Sequence, residues 1–213
     1  MKESLLLCVM STTLGHDLLA FISNPLELFA AVAGFLGVWL ATKENAWNWP
    51  FNIVSAGLYA VVFYQSNFFS DTVLQFVFVF MSIYGWFLWI PGKMNKQVLT
   101  VSRLSNHHRF LLFATFLITW LGWYKALIFL KPYAFFPFWD SLTTCLSLFA
   151  VGLQAQKKIE NWYIWLLANA IFIPMYCIRG LLVTGILYGL FFAIALNGLR
   201  LWMKILSQKT VSS

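Results

Sequence analysis

From Phe110 to Phe129 the chain runs for twenty residues with one charged side chain, Lys125. As a helix, about 20 apolar residues cover the hydrocarbon core of a bilayer. A helix also satisfies its own backbone there, which an irregular segment cannot do. The run is one of seven. The others are Leu26 to Ala41, Trp49 to Tyr64, Phe69 to Ile90, Phe138 to Gln154, Trp162 to Arg179 and Leu181 to Lys204. Short breaks separate them: Lys43 to Asn48, Ser66-Asn67, Pro91-Gly92, Lys131-Pro132 and the QKKIE of residues 156–160. Pro25 and Pro50 stand at helix starts, where the missing N–H costs nothing. Charged residues make up 10% of the 213, against about 25% in soluble domains. The pattern predicts an all-α integral membrane protein with seven transmembrane helices.

Residues 4–22 do not join that series cleanly. Thr12, Thr13, His16 and Asp17 break the run. They favour a helix lying at the interface, with a peripheral extra span as the alternative. The broken run also lacks the form of a cleavable signal.

The chain repeats itself at an offset of 113 residues. Asn48-Trp49 falls on Asn161-Trp162, Gly85 on Gly198 and Leu88-Trp89 on Leu201-Trp202. Glu27 falls on Asp140, and Gln75 on Tyr188. The expected layout is a 3+1+3 arrangement. Residues 1–24 form the N-terminal interfacial helix and 25–92 the first triplet. Residues 93–133 carry a cytoplasmic loop and the linker helix, 134–206 the second triplet, and 207–213 a cytoplasmic tail. Three helices plus a linker make four crossings, so the triplets are expected to be parallel, about an axis along the membrane normal. Repeats of this kind place a transport site between the halves.

The net charge of +7 comes from residues scattered between apolar runs. It therefore reads as topology, and nucleic-acid binding is not expected. Lys43, Lys93, Lys96, Arg103, Arg109, Lys157, Lys158, Arg200, Lys204 and Lys209 fall on one side. Lys2, Lys125, Lys131 and Arg179 fall on the other. The first side is expected to be cytoplasmic, with the N-terminus out and the C-terminus in.

Candidate chemistry centres on Asn161 to Asn169, NWYIWLLAN. Trp162, Trp165 and Asn169 lie at i, i+3 and i+7, one stripe of a helix. Two π-faces followed by an amide suit a ligand with a flat ring and a polar end. The plain alternative is an aromatic belt at the membrane boundary. Gln75 and Tyr188 are polar groups deep in apolar helices. Asp140, Ser141, Thr143 and Thr144 open the fifth span, and Asn197 lies near the end of the seventh. Backbone-bonded hydroxyls, interhelical glue and a helix cap at Asp140 are the bland readings. Pro174 removes a hydrogen bond inside the sixth span. Cys8, Cys145 and Cys177 are far apart, and no metal-ligand spacing occurs. No catalytic set, phosphate loop or membrane-depth carboxylate pair is present. The expectation is a protein without catalytic residues, cofactor or metal, and uniport is favoured over proton coupling.

The stretch WDSLTTCLSLFAVGLQAQKKIENWYIWLLAN resembles the Pnu family of bacterial vitamin transporters. That family is marked by WxxWxxxN/D, matched here by Trp162, Trp165 and Asn169. NWPFNIVSAGLYAVVFYQSNFFSDTVLQFVFVFMSIYGW is similar to its second and third helices. The likeness covers roughly Leu26 to Trp202. It implies a homotrimer in the bacterial inner membrane. It also implies facilitated diffusion of an unphosphorylated vitamin, trapped afterwards by a cytosolic kinase. Trp162, Trp165 and Asn169 would line the site, with Gln75, Asp140, Thr144, Tyr188 and Asn197 as companions. A cationic pyridinium riboside, nicotinamide riboside, fits two indoles and an amide. Thiamine and riboflavin are the alternative vitamins, and a non-transporting membrane subunit is the alternative of another class.

Overall fold

The computed structural model describes residues 15, 18, 24–65, 69–90, 99–130, 136–178 and 182–211. The expectation for residues 4–22 lies almost wholly outside these. The named elements are seven helices: α1 Pro25–Thr42, α2 Asn48–Gln65, α3 Phe69–Trp89, α4 Asn106–Leu130, α5 Pro137–Ala155, α6 Glu160–Ile178 and α7 Leu182–Val211. Each matches an apolar run of the sequence. The last continues to Val211, beyond the expected end at Lys204.

Local chemistry explains the boundaries. Asn24 caps α1: its Oδ1 accepts from the Glu27 N–H at 3.4 Å, and Pro25 occupies the first turn. Ser105 caps α4 through the His108 N–H at 3.3 Å. The α1–α2 turn bends at Glu44, with φ 53°, and the α5–α6 turn at Lys157, with φ 51°. These two left-handed residues are 113 apart in sequence.

Neighbouring helices close a ring in the order α1, α2, α3, α5, α6, α7 and back to α1. Helix α4 lies outside the ring, packed along α5. Its Phe110, Phe113, Ile118 and Phe129 are exposed. The two turns meet, with Lys157 Nζ 2.9 Å from Glu44 Oε2. Trp89 Nε1, at the end of α3, donates to Ala155 O at 3.0 Å. Arg109 on the first turn of α4 pairs with Glu160 on α6 at 3.0 Å. One end of the bundle thus gathers the ends of α1, α3 and α5 and the starts of α2, α4 and α6. Corresponding helices of the two triplets run the same way.

That end holds the tightest packing. Trp49, Trp162 and Trp202 are fully buried and Trp89 nearly so. Trp49 meets Trp89 edge-on at 5.5 Å, and Trp162 meets Trp202 edge-on at 5.4 Å. Trp89 and Trp202 touch at 6.3 Å. Each pair lies across a glycine: a methyl on Gly85 would come within 2.5 Å of Trp49, and one on Gly198 within 2.6 Å of Trp162. Val101, from the α3–α4 connection, is buried in the same cluster. The Ser102 N–H donates to Lys157 O at 3.1 Å and the Ile159 N–H to Ser102 O at 3.0 Å, strapping the connection to the α5–α6 turn.

Seven spans were expected, and among the described residues five helices are both long and apolar enough to cross a membrane: α1, α3, α4, α6 and α7. Helices α2 and α5 have 18 and 19 residues, about 27 Å and 28 Å of rise. Their hydropathy is lowered by side chains that face other helices. On α5, Ser141, Thr143, Ser147 and Gln154 are buried, and on α2 so are Asn48 and Ser55. Ser55 Oγ donates to Ala30 O at 2.7 Å. Cys145 is buried as expected of a small apolar residue, whereas Cys177 is exposed.

Adding a methyl at either glycine should overpack a ring that has no room to retreat. Gly85→Ala and Gly198→Ala should each destabilise the purified protein by about 1–3 kcal/mol, while Gly57→Ala, with open space around it, should not. Thermal unfolding in detergent checks this, and an equal effect of all three would refute it.

Candidate functional site

The six ring helices enclose a cavity of about 280 Å³. Helix α6 supplies Trp162, Trp165 and Asn169, and carries the same stripe on through Phe172 and Tyr176. Helix α5 supplies Asp140, Thr144 and Ser147, at i, i+4 and i+7. Leu74, Gln75 and Phe78 come from α3, and Tyr188, Phe191 and Ala195 from α7. Val38 on α1 and Phe63 on α2 complete the wall. Linker α4 contributes nothing among the lining residues.

The cavity has a graded interior. Its floor is Trp162, fully buried and backed by Trp202. Above it Trp165 is partly exposed, and Asn169 is 3% exposed on the next turns. Farther along α6, Tyr188 stacks on Tyr176 at 5.0 Å and meets Phe172 at 4.5 Å. The polar groups on the wall are Gln75, Asp140, Thr144, Ser147 and Asn169 with the two tyrosines. Asp140 is the one charged lining residue described. Among the described residues there is no cluster of three metal-ligating side chains.

Seven of the eight expected site residues therefore face one space: Trp162, Trp165, Asn169, Gln75, Tyr188, Asp140 and Thr144. The structure puts Asn197 elsewhere, exposed on α7. It follows Tyr188 by nine residues, which at 100° per residue is about half a turn away from the cavity face. The hydroxyls opening α5 divide in the same way. Ser141 donates to Phe138 O at 2.9 Å and Thr143 to Trp139 O at 2.9 Å. Both bond their own helix, while Thr144 turns inward.

Several lining residues escaped sequence reasoning. Phe172 and Tyr176 extend the tryptophan stripe at i+10 and i+14, and Ser147 extends the Asp140–Thr144 stripe, so periodicity could have found all three. Phe63 carries no comparable signal. Gln154 lies behind the wall: its Oε1 accepts from Trp165 Nε1 at 3.3 Å, and its Nε2 donates to Asn48 Oδ1 at 3.2 Å.

Known proteins are similar to this chain in sequence and fold. The nicotinamide riboside transporter PnuC of Escherichia coli K12 is 27% identical, the match covering 89% of this chain and 87% of that protein. The riboflavin/roseoflavin transporter RibM of Streptomyces davaonensis is 23% identical over 83% of each. The crystal structure of the vitamin B3 transporter PnuC superposes with a TM-score of 0.70 at 22% identity. That match covers 93% of this chain and 90% of the other, and shows the same fold. The family model described as nicotinamide mononucleotide transporter matches residues 24–204, so the chain belongs to that family of multi-pass membrane proteins.

Proposed function

We propose that this protein carries an unphosphorylated vitamin, foremost nicotinamide riboside, across the bacterial inner membrane by facilitated diffusion. The observation that carries the reading is the cavity itself. Two indoles and an amide lie in line, with one carboxylate and no Lys, Arg or His among the described lining residues. A phosphate monoester brings about −1.5 to −2 charges and is held by cations or helix N-termini. A cavity whose described lining bears Asp140 as its one charge disfavours a mononucleotide and suits a cationic ring. Indole faces stabilise such a ring by about 0.5–2 kcal/mol. Gln75 and Asn169 can both donate to and accept from a carboxamide and hydroxyls.

Size points the same way. The 280 Å³ cavity sits at the lower edge of the roughly 300–1,000 Å³ common for small-molecule sites. One ring and a pentose suit it better than a tricyclic ring with a ribityl chain. Riboflavin remains the second reading on the likeness to RibM, and thiamine a third as another cationic ring.

The architecture supports a route. The recurring contacts at an offset of 113 fit a parallel 3+1+3 duplication, with transport by alternating exposure of the cavity between the triplets. The basic residues at the tryptophan end, Lys43, Arg103, Lys157 and Lys158 among them, favour that end as cytoplasmic. This gives the N-terminus out and the C-terminus in. The substrate would move down its gradient and be trapped by a cytosolic kinase. The apolar outer face of α4 offers surface for the neighbouring copies of a homotrimer.

Proteoliposomes should take up labelled nicotinamide riboside saturably, without a proton gradient, and faster than thiamine or riboflavin. A protein that moves none of them would be a non-transporting subunit. Trp165→Ala should weaken riboside binding by about 1–3 kcal/mol, the usual worth of one stacked ring, with the oligomer unchanged in size-exclusion chromatography. Asp140→Asn should weaken the cationic riboside roughly tenfold, about 1.4 kcal/mol, and spare the uncharged reduced riboside. Equal losses for both would remove charge recognition from Asp140.

A further inference from the structure

We propose that Gln154 is a positioning residue for the substrate ring: it locks the Trp165 indole in orientation by a hydrogen-bonded bracket reaching from the second triplet to the first. The proposal rests on the central cavity being the substrate site. Gln154 does not line that cavity. It closes α5 behind it, 6% exposed, and acts through two contacts. Trp165 Nε1 donates to its Oε1 at 3.3 Å, and its Nε2 donates to Asn48 Oδ1 at 3.2 Å. Asn48, fully buried, donates in turn from Nδ2 to Asn45 O at 2.8 Å.

Both ends of this relay fix its direction. An indole N–H can only donate and a backbone carbonyl can only accept. Gln154 must therefore present oxygen to Trp165 and nitrogen to Asn48, and neither amide can flip without losing two bonds. Its last link is a turn carbonyl of the first triplet. The plane of Trp165 is thus referenced to the opposite half of the protein.

The first triplet shows what that end looks like without the bracket. Asn161 is the counterpart of Asn48 at an offset of 113, and donates from Nδ2 to Lys158 O at 2.6 Å, as Asn48 does to Asn45. The counterpart of Gln154 is Ala41, which has no donor to offer. The Asn161 Oδ1 is buried without a hydrogen-bond partner. The counterpart of Trp165 is Asn52. One triplet's end therefore carries both the bracket and the ring it holds, and the other carries neither. Unmatched groups at symmetric positions point to a role tied to the ligand, since the turns fold alike with or without the glutamine.

The bracket also joins ring orientation to closure. Its Gln154–Asn48 link crosses between triplets, so parting the two turns would break it. The Gln154 amide would then keep only its bond to Trp165 and lose the anchor that fixes its orientation, so the ring site would loosen as that end opens.

A double-mutant cycle tests the proposal, with nicotinamide riboside titrated calorimetrically into purified protein. Gln154→Leu should weaken binding roughly 3- to 10-fold, the worth of an ordinary hydrogen bond. In a Trp165→Phe background, which has no N–H to hold, the same change should cost less than about twofold. Equal losses in both backgrounds would mean general packing and overturn the positioning role. Ligand-free NMR of protein labelled with ¹⁵N at its indoles gives an independent readout. The Trp165 Nε1–H resonance, assigned by its loss in Trp165→Phe, should move upfield and exchange faster in Gln154→Leu. An unmoved resonance would refute the bracket. A wild-type protein that binds no riboside while the resonance moves would support the bracket and count against the substrate reading.

Discussion

An indole seated on a glycine, once in each triplet, sets the spacing on which the bundle depends. Between helices in lipid the hydrophobic effect offers little, because acyl chains are as apolar as leucine. Close contact must do the holding. Gly85 and Gly198 allow Trp49 and Trp162 to lie directly against neighbouring backbone, and the rings then meet Trp89 and Trp202 edge-on. Edge-to-face geometry places a ring's positive rim on the negative face of its neighbour. The arrangement has a cost. Trp89 finds a carbonyl, but Trp49, Trp162 and Trp202 bury their N–H groups without hydrogen-bond partners. Trp162 belongs to this cluster and also floors the cavity, so whatever moves the cluster moves the site.

The contact between the two turns shows how two similar turns, 113 residues apart, are joined at one end of the bundle. Glu44 and Lys157 occupy corresponding positions, share a left-handed backbone and meet at 2.9 Å. Two identical side chains there would set like charges face to face, an arrangement that repels. Opposite charges turn the same geometry into an attraction. Lys157 Nζ also stands 4.7 Å from the centre of the Trp89 ring, which adds a cation–π contact. The pair is therefore joined to the tryptophan cluster beneath it.

Much of this was legible because spacing survives where composition says little. The N-W, Gly and L-W matches at one offset are the residues that build the cluster, and their distances along the chain fix which helices must meet. The Trp162–Trp165–Asn169 stripe was legible for a similar reason, since period 3.6 is a geometric statement. Asn197 looked equivalent because it is a polar amide within the last apolar run, but its phase on α7 turns it away. Gln154 read as the polar end of a span, because nothing in a single sequence separates a boundary glutamine from a buried bracket. Phe63 was invisible, one aromatic among 22 phenylalanines. Hydropathy also understated α2 and α5, whose buried polar groups bond either other helices, as Ser55 and Gln154 do, or their own backbone, as Ser141 and Thr143 do.

Symmetry and function divide the bundle between them. At the turn end, corresponding residues make corresponding contacts: tryptophan on glycine, asparagine on a turn carbonyl, one left-handed residue against another. Around the cavity the correspondence is only partial: Phe78 and Phe191 match, and Trp162 matches Trp49, but other positions differ. Trp165 faces back to Asn52, Asn169 to Ala56, Gln154 to Ala41 and Gln75 to Tyr188. A ligand with a ring at one end and hydroxyls at the other has no two-fold axis. Equivalent groups from two equal halves would offer it two orientations of equal energy. Divergence at these positions removes that degeneracy, and leaving the packing end alike preserves the fold that presents them. The residues that break the repeat make the two sides of the cavity unlike, and those that keep it at the turn end hold the bundle together.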